Sequence, residues 1–414
     1  MPCLSMRIPD LGCATRIMLL AASMLTVPLS SSGAATEGPD ESVGRLEKAL
    51  LAQPDHPRMI LDLAQALLQR TRTSRDAGDC VRARALIQRA LEKTPDNARA
   101  WTLKAWDEMN RHRFHDALGS ARRAQGLGLP TAINLGLEAD ALVELGRYKE
   151  AIGVTQKLLD SFPGLPANSR AAHLRMLHGD LSGAIALLRE SLGDTPEGSE
   201  AHAWAFRQLA ELYLDAGRFD NAEQAMAMAG KLFPAAGQDA ALRARLREAQ
   251  NRPAEALTLL LEALEAYPSP DYAVSAWRLA RQRGDRENVQ RLELLLEGMT
   301  RLDASGDQLF RRTFAEYSLL QGRFGEAERL AREEFLVRPD IYGHALLSFV
   351  LKQAGKRQEA ARHSEAALHL GTQDARLRQW VQGQYSRWQP TEAPTTTARV
   401  ATGWSFPYLK KEAP

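Results

Sequence analysis

A three-part mark recurs along this chain in fixed register, and few folds can carry it. The mark is a turn, Gly-Arg-aromatic or a variant, with a small residue five positions after its first member. Gly146-Arg147-Tyr148 leads to Ala151, Gly217-Arg218-Phe219 to Ala222, and Gly322-Arg323-Phe324 to Ala327. Weaker copies start at Gly78, His112, Gly179, Asn251, Gly284 and Gly355, with Ala83, Ala117, Ala184, Ala256, Val289 and Ala360 as their small residues, which makes nine units. Successive turns are 34, 34, 33, 38, 34, 33, 38 and 33 residues apart. Seventeen positions after the turn stands Pro95, Pro163, Pro196, Pro234, Pro268 or Pro339. Seven positions before it stands Ala105, Ala139, Ala172, Ala210, Ala244 or Ala315, with Ser348 in the last unit.

Each mark has a mechanical reason. A period of this length holds two helices of about 12–15 residues joined by a tight turn. Glycine suits that turn because it accepts positive φ without a Cβ clash. The two alanines let the paired helices approach closely, and the proline stops the second helix. Apolar residues fill the remaining face at helical spacing, as in Phe206, Leu209 and Tyr213, then Ala222, Met226 and Ala229. The unit at Gly284 departs from the pattern with Trp277 and Val289, and the unit at Gly78 has a polar stretch, Gln69 to Asp76, before its turn. The two 38-residue intervals carry insertions near Gly193 to Ser199 and Leu302 to Gly306, where longer loops or extra helical turns fit.

The series Phe206-x-x-Leu209-Ala210-x-x-Tyr213, Gly217, Ala222, Ala229, Pro234 resembles the tetratricopeptide repeat. The resemblance runs over residues 57–374 and implies an all-α, right-handed superhelical solenoid of about nine antiparallel helix pairs. The stretch from Asn168 to Gln224 and the later His369-Leu370-Gly371-Thr372 also resemble exported bacterial repeat proteins of unassigned function.

Composition agrees. Charged residues are 25% and hydrophobic residues 44%, which suits a packed, helix-rich chain. The net charge of +2 comes from 53 basic and 51 acidic residues interspersed along the chain, so the basic surplus of a nucleic-acid binder is missing. Residues 1–35 read as a removable export signal: Arg7 and Arg16, an apolar run from Ile17 to Leu29, then Gly33-Ala34-Ala35. The run is too short to span a bilayer, and no later run is longer, so a periplasmic or secreted protein without a transmembrane segment is expected. Cys3 and Cys13 would leave with the signal, so Cys80 has no partner for an internal disulfide and is expected to be buried. Residues 36–56 form a lead-in, 375–388 an amphipathic segment suited to cap the solenoid, and 389–414 a Pro/Thr-rich tail ending in Trp404, Phe406 and Tyr408. That tail is either a frayed terminus or a docking segment.

No catalytic constellation emerges. The spacings of His112 and His115, His173 and His178, and His363 and His369 give no zinc ligand set, and no phosphate loop or nucleophile elbow is present. No metal, cofactor or catalytic residue is therefore assigned. The family resemblance instead implies a groove, lined by the first helix of each unit, with residues six and three before each turn pointing inward. These are Trp106, Met109, Asp140, Val143, His173, Met176, Glu211, Leu214, Arg245, Glu248, Arg278, Arg281, Glu316, Leu319, Phe349 and Lys352. The Lys-and-Asn set by which some family members grip a C-terminal carboxylate is missing. Trp106, Met109, Asp140, His173, Glu211, Arg245, Arg278, Arg281 and Phe349 are the expected partner-binding residues, with the three arginines as a stripe for an acidic peptide. The expected function is a non-catalytic protein-interaction scaffold in the cell envelope. The competing reading is an enzyme or a polysaccharide-associated protein with its site in the groove.

Overall fold

The computed structural model describes residues 39–74, 77–128 and 131–371. The expected export signal at 1–35, cap at 375–388 and tail at 389–414 lie outside the described residues. Within them there are nineteen helices and no strand. Helix α1 (Pro39–Ala52) falls in the lead-in and packs on α2. Nine antiparallel pairs follow. They are α2/α3 (Pro57–Ser74, Ala77–Lys93), α4/α5 (Ala98–Asn110, Phe114–Gly126), α6/α7 (Ala132–Glu144, Tyr148–Ser161) and α8/α9 (Leu165–Leu177, Leu181–Asp194). Then come α10/α11 (Glu200–Asp215, Phe219–Leu232), α12/α13 (Ala236–Ala249, Pro253–Ala266) and α14/α15 (Pro270–Arg283, Arg286–Ser305). The last two are α16/α17 (Arg311–Leu320, Phe324–Val337) and α18/α19 (Ile341–Gln353, Arg357–His369).

The repeated marks do what their chemistry requires. The turn position has positive φ in eight units, including His112 (φ 56) and Asn251 (φ 59) where glycine is replaced. Gly78 instead lies inside α3, and the junction before it falls at residues 75–76, outside the described set. Ala117, Ala151, Ala184, Ala222, Ala256 and Ala327 are fully buried at the close approach of paired helices. In the deviant unit the indole of Trp277 occupies the position of the usual alanine. It meets Tyr317 edge-on at 5.0 Å and donates to Glu293 at 3.1 Å. Of its partner helix α15, only Leu292 and Leu296 are buried. The second insertion extends α15 to 20 residues, while the first forms the connection to a longer α10 of 16 residues. Cys80 is half-buried, with its thiol on Thr71 at 3.6 Å, and burial pushes its pKa up.

The coil also closes on itself. Arg111, at the turn between α4 and α5, grips the carboxylate of Asp307 with distances of 2.8–3.1 Å across a separation of 196 residues. The Tyr148 hydroxyl accepts the amide of Ile341 at 3.0 Å across 193 residues. Further on, Gly371 lies against His178, so that a Cβ there would be 3.5 Å from the imidazole. Two successive unit junctions of the later coil and the end of its last helix pair thus rest on successive turns of the earlier coil, and one superhelical turn takes roughly 193 residues. Gly146 shows how close the layers come. Its φ is +67°, and a Cβ would sit 2.5 Å from the carbonyl oxygen of Pro339.

Candidate partner-binding groove

The expected inward residues divide into two groups. Trp106, Met109 and Phe349 are 2%, 4% and 7% exposed, so they belong to the core and offer no surface to a partner. Trp106 and Met109 sit in the large apolar cluster of the early units, and Phe349 packs with Leu319, Leu346 and Val350. The reason is the tightness of the coil: small residues draw neighbouring first helices together, and large side chains at these offsets are covered. The expectation that these three residues line a binding surface is corrected accordingly.

The charged positions form rungs between units. Asp140 on α6 takes a two-pronged contact from Arg170 on α8 at 2.8 and 2.6 Å. Arg170 also donates to the carbonyls of Pro166 and Gly136 at 2.8 and 3.3 Å. Gly136 leaves room for it, since a Cβ there would stand 2.8 Å from the guanidinium. Glu211 on α10 pairs with Arg245 on α12, and Asp215 lies 3.8 Å from the same guanidinium. Glu248 on α12 holds Arg278 on α14 at 2.7 Å. Arg281 lies 5.1 Å from the ring centre of Trp277 and donates to the Leu320 carbonyl at 3.1 Å. The arginine stripe is thus a ladder whose charges are largely matched, two rungs of it tying each unit to the one before. Such pairs fix the register of adjacent helices more than they add stability.

His173 and Glu211 come together at one hollow. Its walls are Ser169, Ala172, His173 and Met176 from α8, Leu188 from α9, and Gln208, Glu211 and Leu212 from α10. Four apolar and four polar side chains share this lining, which suits one amphipathic side chain held by hydrogen bonds at its polar end. Beyond the hollow, Leu214, Arg245, Glu248 and Arg278 keep partial exposure, and Arg281 is exposed. Sequence reasoning did not single out Arg170, Ser169 or Gln208. Arg170 carries a readable signal, an arginine one helix turn ahead of the inward position His173. Among the described residues no three His, Cys, Asp or Glu side chains gather so as to hold a metal ion. No helix among them is long and apolar enough to cross a membrane.

Residues 39–106 and 175–246 match one family model for the tetratricopeptide repeat, and residues 102–166 match a second. The chain is a tetratricopeptide-repeat protein. No curated protein matches it significantly. Among solved structures it is similar to the APC/C hetero-tetramer Cut9-Hcn1, at 14% identity over 84% of this chain and 67% of that one, with a TM-score of 0.48. The type IV pilus biogenesis factor PilW matches at 21% identity over 52% of this chain and 96% of its own, with a TM-score of 0.42. Pseudomonas aeruginosa pilF matches at 18% identity over 53% and 96%, with a TM-score of 0.39. At these identities the likeness concerns the fold alone. Tetratricopeptide repeats are in general modules for contact between proteins, so this chain is of the scaffold type.

Proposed function

We propose that the protein is a non-catalytic scaffold of the cell envelope that holds an extended segment of a partner protein along its middle units. One partner side chain sits in the hollow beside His173 and Glu211. The observation that carries this reading is the hollow between α8, α9 and α10, continued along α10 to α14 by the partly exposed Leu214, Arg245, Glu248 and Arg278 and the exposed Arg281, whereas Trp106, Met109 and Phe349 of the early and late units are buried in the core. Because each carboxylate there already faces an arginine, the surface favours a ligand offering backbone hydrogen bonds and both signs of charge over a strongly acidic one. The envelope location rests on the export signal at 1–35.

A photo-crosslinking amino acid at Leu214, compared with one at Leu336, tests the site. Leu336 is 78% exposed on the second helix α17. Adducts with a specific envelope protein are expected from position 214 and not from 336. Adducts from 336 alone would move the binding surface to the outside of the coil. Filling the hollow with Met176→Trp should lower capture at least tenfold while leaving the helical circular dichroism unchanged.

A further inference from the structure

Neighbouring repeats meet through small and apolar side chains with single charged rungs beside them, whereas the contact between the two layers of the coil gathers five charged side chains into one buried cluster. Arg338, at the junction between α17 and α18, places its Nε 2.6 Å from a carboxylate oxygen of Glu144 at the end of α6. Its guanidinium also lies 3.4 Å from the His112 imidazole and 5.0 Å from the centre of the Phe114 ring. Arg312 on α16 contacts Asp340 at 2.8 Å, and the Glu334 carboxylate is 3.6 Å from both guanidiniums. All five charged side chains are at most 4% exposed. At the rim Arg111 clamps Asp307. From the far layer, Ile341, Tyr342 and Ala345 join the apolar cluster of the early units.

Burying so many charges costs solvation that their mutual attraction only partly offsets, so a contact built this way contributes far less net stability than an apolar one of equal size. Opening it returns the charges to water. The repeats on either side keep their own helix pairs and their own neighbours, as expected of a solenoid stabilised by nearest-neighbour interfaces. We propose that the contact of the Arg338 junction with Glu144 and Tyr148 is a latch, by which the coil passes between a closed form and an extended form while every repeat stays folded.

The ionisation of the cluster gives the latch a direction. Two guanidiniums face three carboxylates, so the fully ionised set carries one excess negative charge. Burial raises the pKa of Glu144 to about 7, with Asp340 and Glu334 pushing the same way against Arg338 and Arg312. Burial and the neighbouring Arg338, Arg312 and Arg311 hold His112 neutral, so it adds no compensating charge. Tyr148 stays a phenol, kept so by burial and by Asp340. In the extended form Glu144 returns toward an ordinary carboxylate pKa of about 4.3. The closed form therefore binds more protons between these values. Closure is strongest in mild acid and weakens as pH rises through 7.

The amide of Ile341 reports the latch directly, because its hydrogen bond goes to Tyr148 across the layers. Hydrogen exchange at Ile341 in the full chain, corrected for intrinsic pH dependence, is the measurement, with small-angle scattering and circular dichroism beside it. Arg338→Glu sets four carboxylates together and should speed exchange at Ile341 at least tenfold. The radius of gyration should rise while the helical signal and exchange in α10 and α11 stay unchanged. Glu144→Gln should slow exchange at Ile341 at pH 8 and remove the loosening between pH 6 and 8. Unchanged exchange and dimensions in Arg338→Glu would overturn the latch. So would loss of protection throughout the chain, which would make the layer contact part of one indivisible fold. Should Arg338→Glu yield no soluble protein to measure, Arg111→Glu at the rim takes its place with the same two outcomes.

Discussion

Tyr148 gives its hydroxyl oxygen to the backbone amide of Ile341, 193 residues further along the chain, while its ring is 4% exposed. In the sequence Tyr148 is the aromatic member of a turn motif and looks entirely local. In the fold it serves two partners at once: the helix pair it closes and the junction that comes to rest on it a full turn later.

Gly146 and Gly217 supply a matched pair for measuring that second role. Both have φ of +67°, but a Cβ at 146 meets the Pro339 carbonyl whereas one at 217 meets nothing within 4 Å. Gly217→Ala should cost only the left-handed backbone penalty of roughly 1–2 kcal/mol. Gly146→Ala should cost more, and the excess should vanish when the layers are already parted by Arg338→Glu. Urea unfolding of the three single and double variants checks this.

Removing one side of a buried rung should be expensive. Arg170→Ala leaves Asp140 facing a gap in a partly buried setting, and a loss of about 3–5 kcal/mol is expected. The double variant Asp140→Leu with Arg170→Met should recover most of it, because an apolar pair of similar volume has no charge to desolvate. Equal losses in the single and double variants would show that packing of the arginine stem, not charge, holds α6 to α8.

The alanine marks predict overpacking. Ala222 is fully buried between α10 and α11, and Ala222→Leu should destabilise by about 1–3 kcal/mol. Met228, 41% exposed on the same helix, should tolerate Met228→Leu within about 0.5 kcal/mol. Thermal melts of the two variants separate these outcomes.

Acid should weaken the last helix pair. His344 and His363 place their Nδ1 atoms 3.0 Å apart, with Phe335 edge-on to both rings. Burial lowers His344 to about 4, and the neighbouring His363 adds to this, while Asp340 opposes it. Burial also lowers His363, with Glu359 opposing and Arg332 assisting. Both folded pKa values lie below the unfolded value of about 6.5, so the stability of the neutral pair is present above that pH. It is lost as pH falls from there through 4. Replacing the pair by His344→Gln and His363→Gln should flatten the decline in melting temperature between pH 6.5 and 4, and an unchanged slope would assign the acid sensitivity elsewhere.

Turns, helix pairs and alanine contacts could be read from the sequence because each is written many times over and each acts within one unit. His112 and Asn251 even adopt the positive φ that their place in the register demanded. The groove was less legible. Offsets from the turn place Trp106, Met109 and Phe349 on the inward side, yet exposure there depends on how tightly the coil winds. That winding depends on how closely the first helices of neighbouring units pack through their small residues, and the contacts it brings about, such as Arg111 with Asp307 and Tyr148 with Ile341, join residues so distant that no repeat-length window contains both. The ladder was hidden for a related reason. Arg245 and Arg278 form a stripe when arginines are counted alone, and become matched pairs once Glu211 and Glu248 of the preceding unit are set beside them.

The stacking of one coil on the next works as a vernier scale. Solenoids ordinarily tolerate gain or loss of whole units anywhere along their length, since each unit needs only its neighbours. Here, duplication or deletion of a single repeat between Gly146 and Asp307 would slide the upper graduations against the lower by one division. Arg338 would face the wrong turn, and Asp307 would lose Arg111. Units appended beyond either end would leave the alignment untouched. Change in repeat number therefore leaves the latch intact at the termini and abolishes it in the middle, so that interval acts as a fixed ruler inside an otherwise extensible protein.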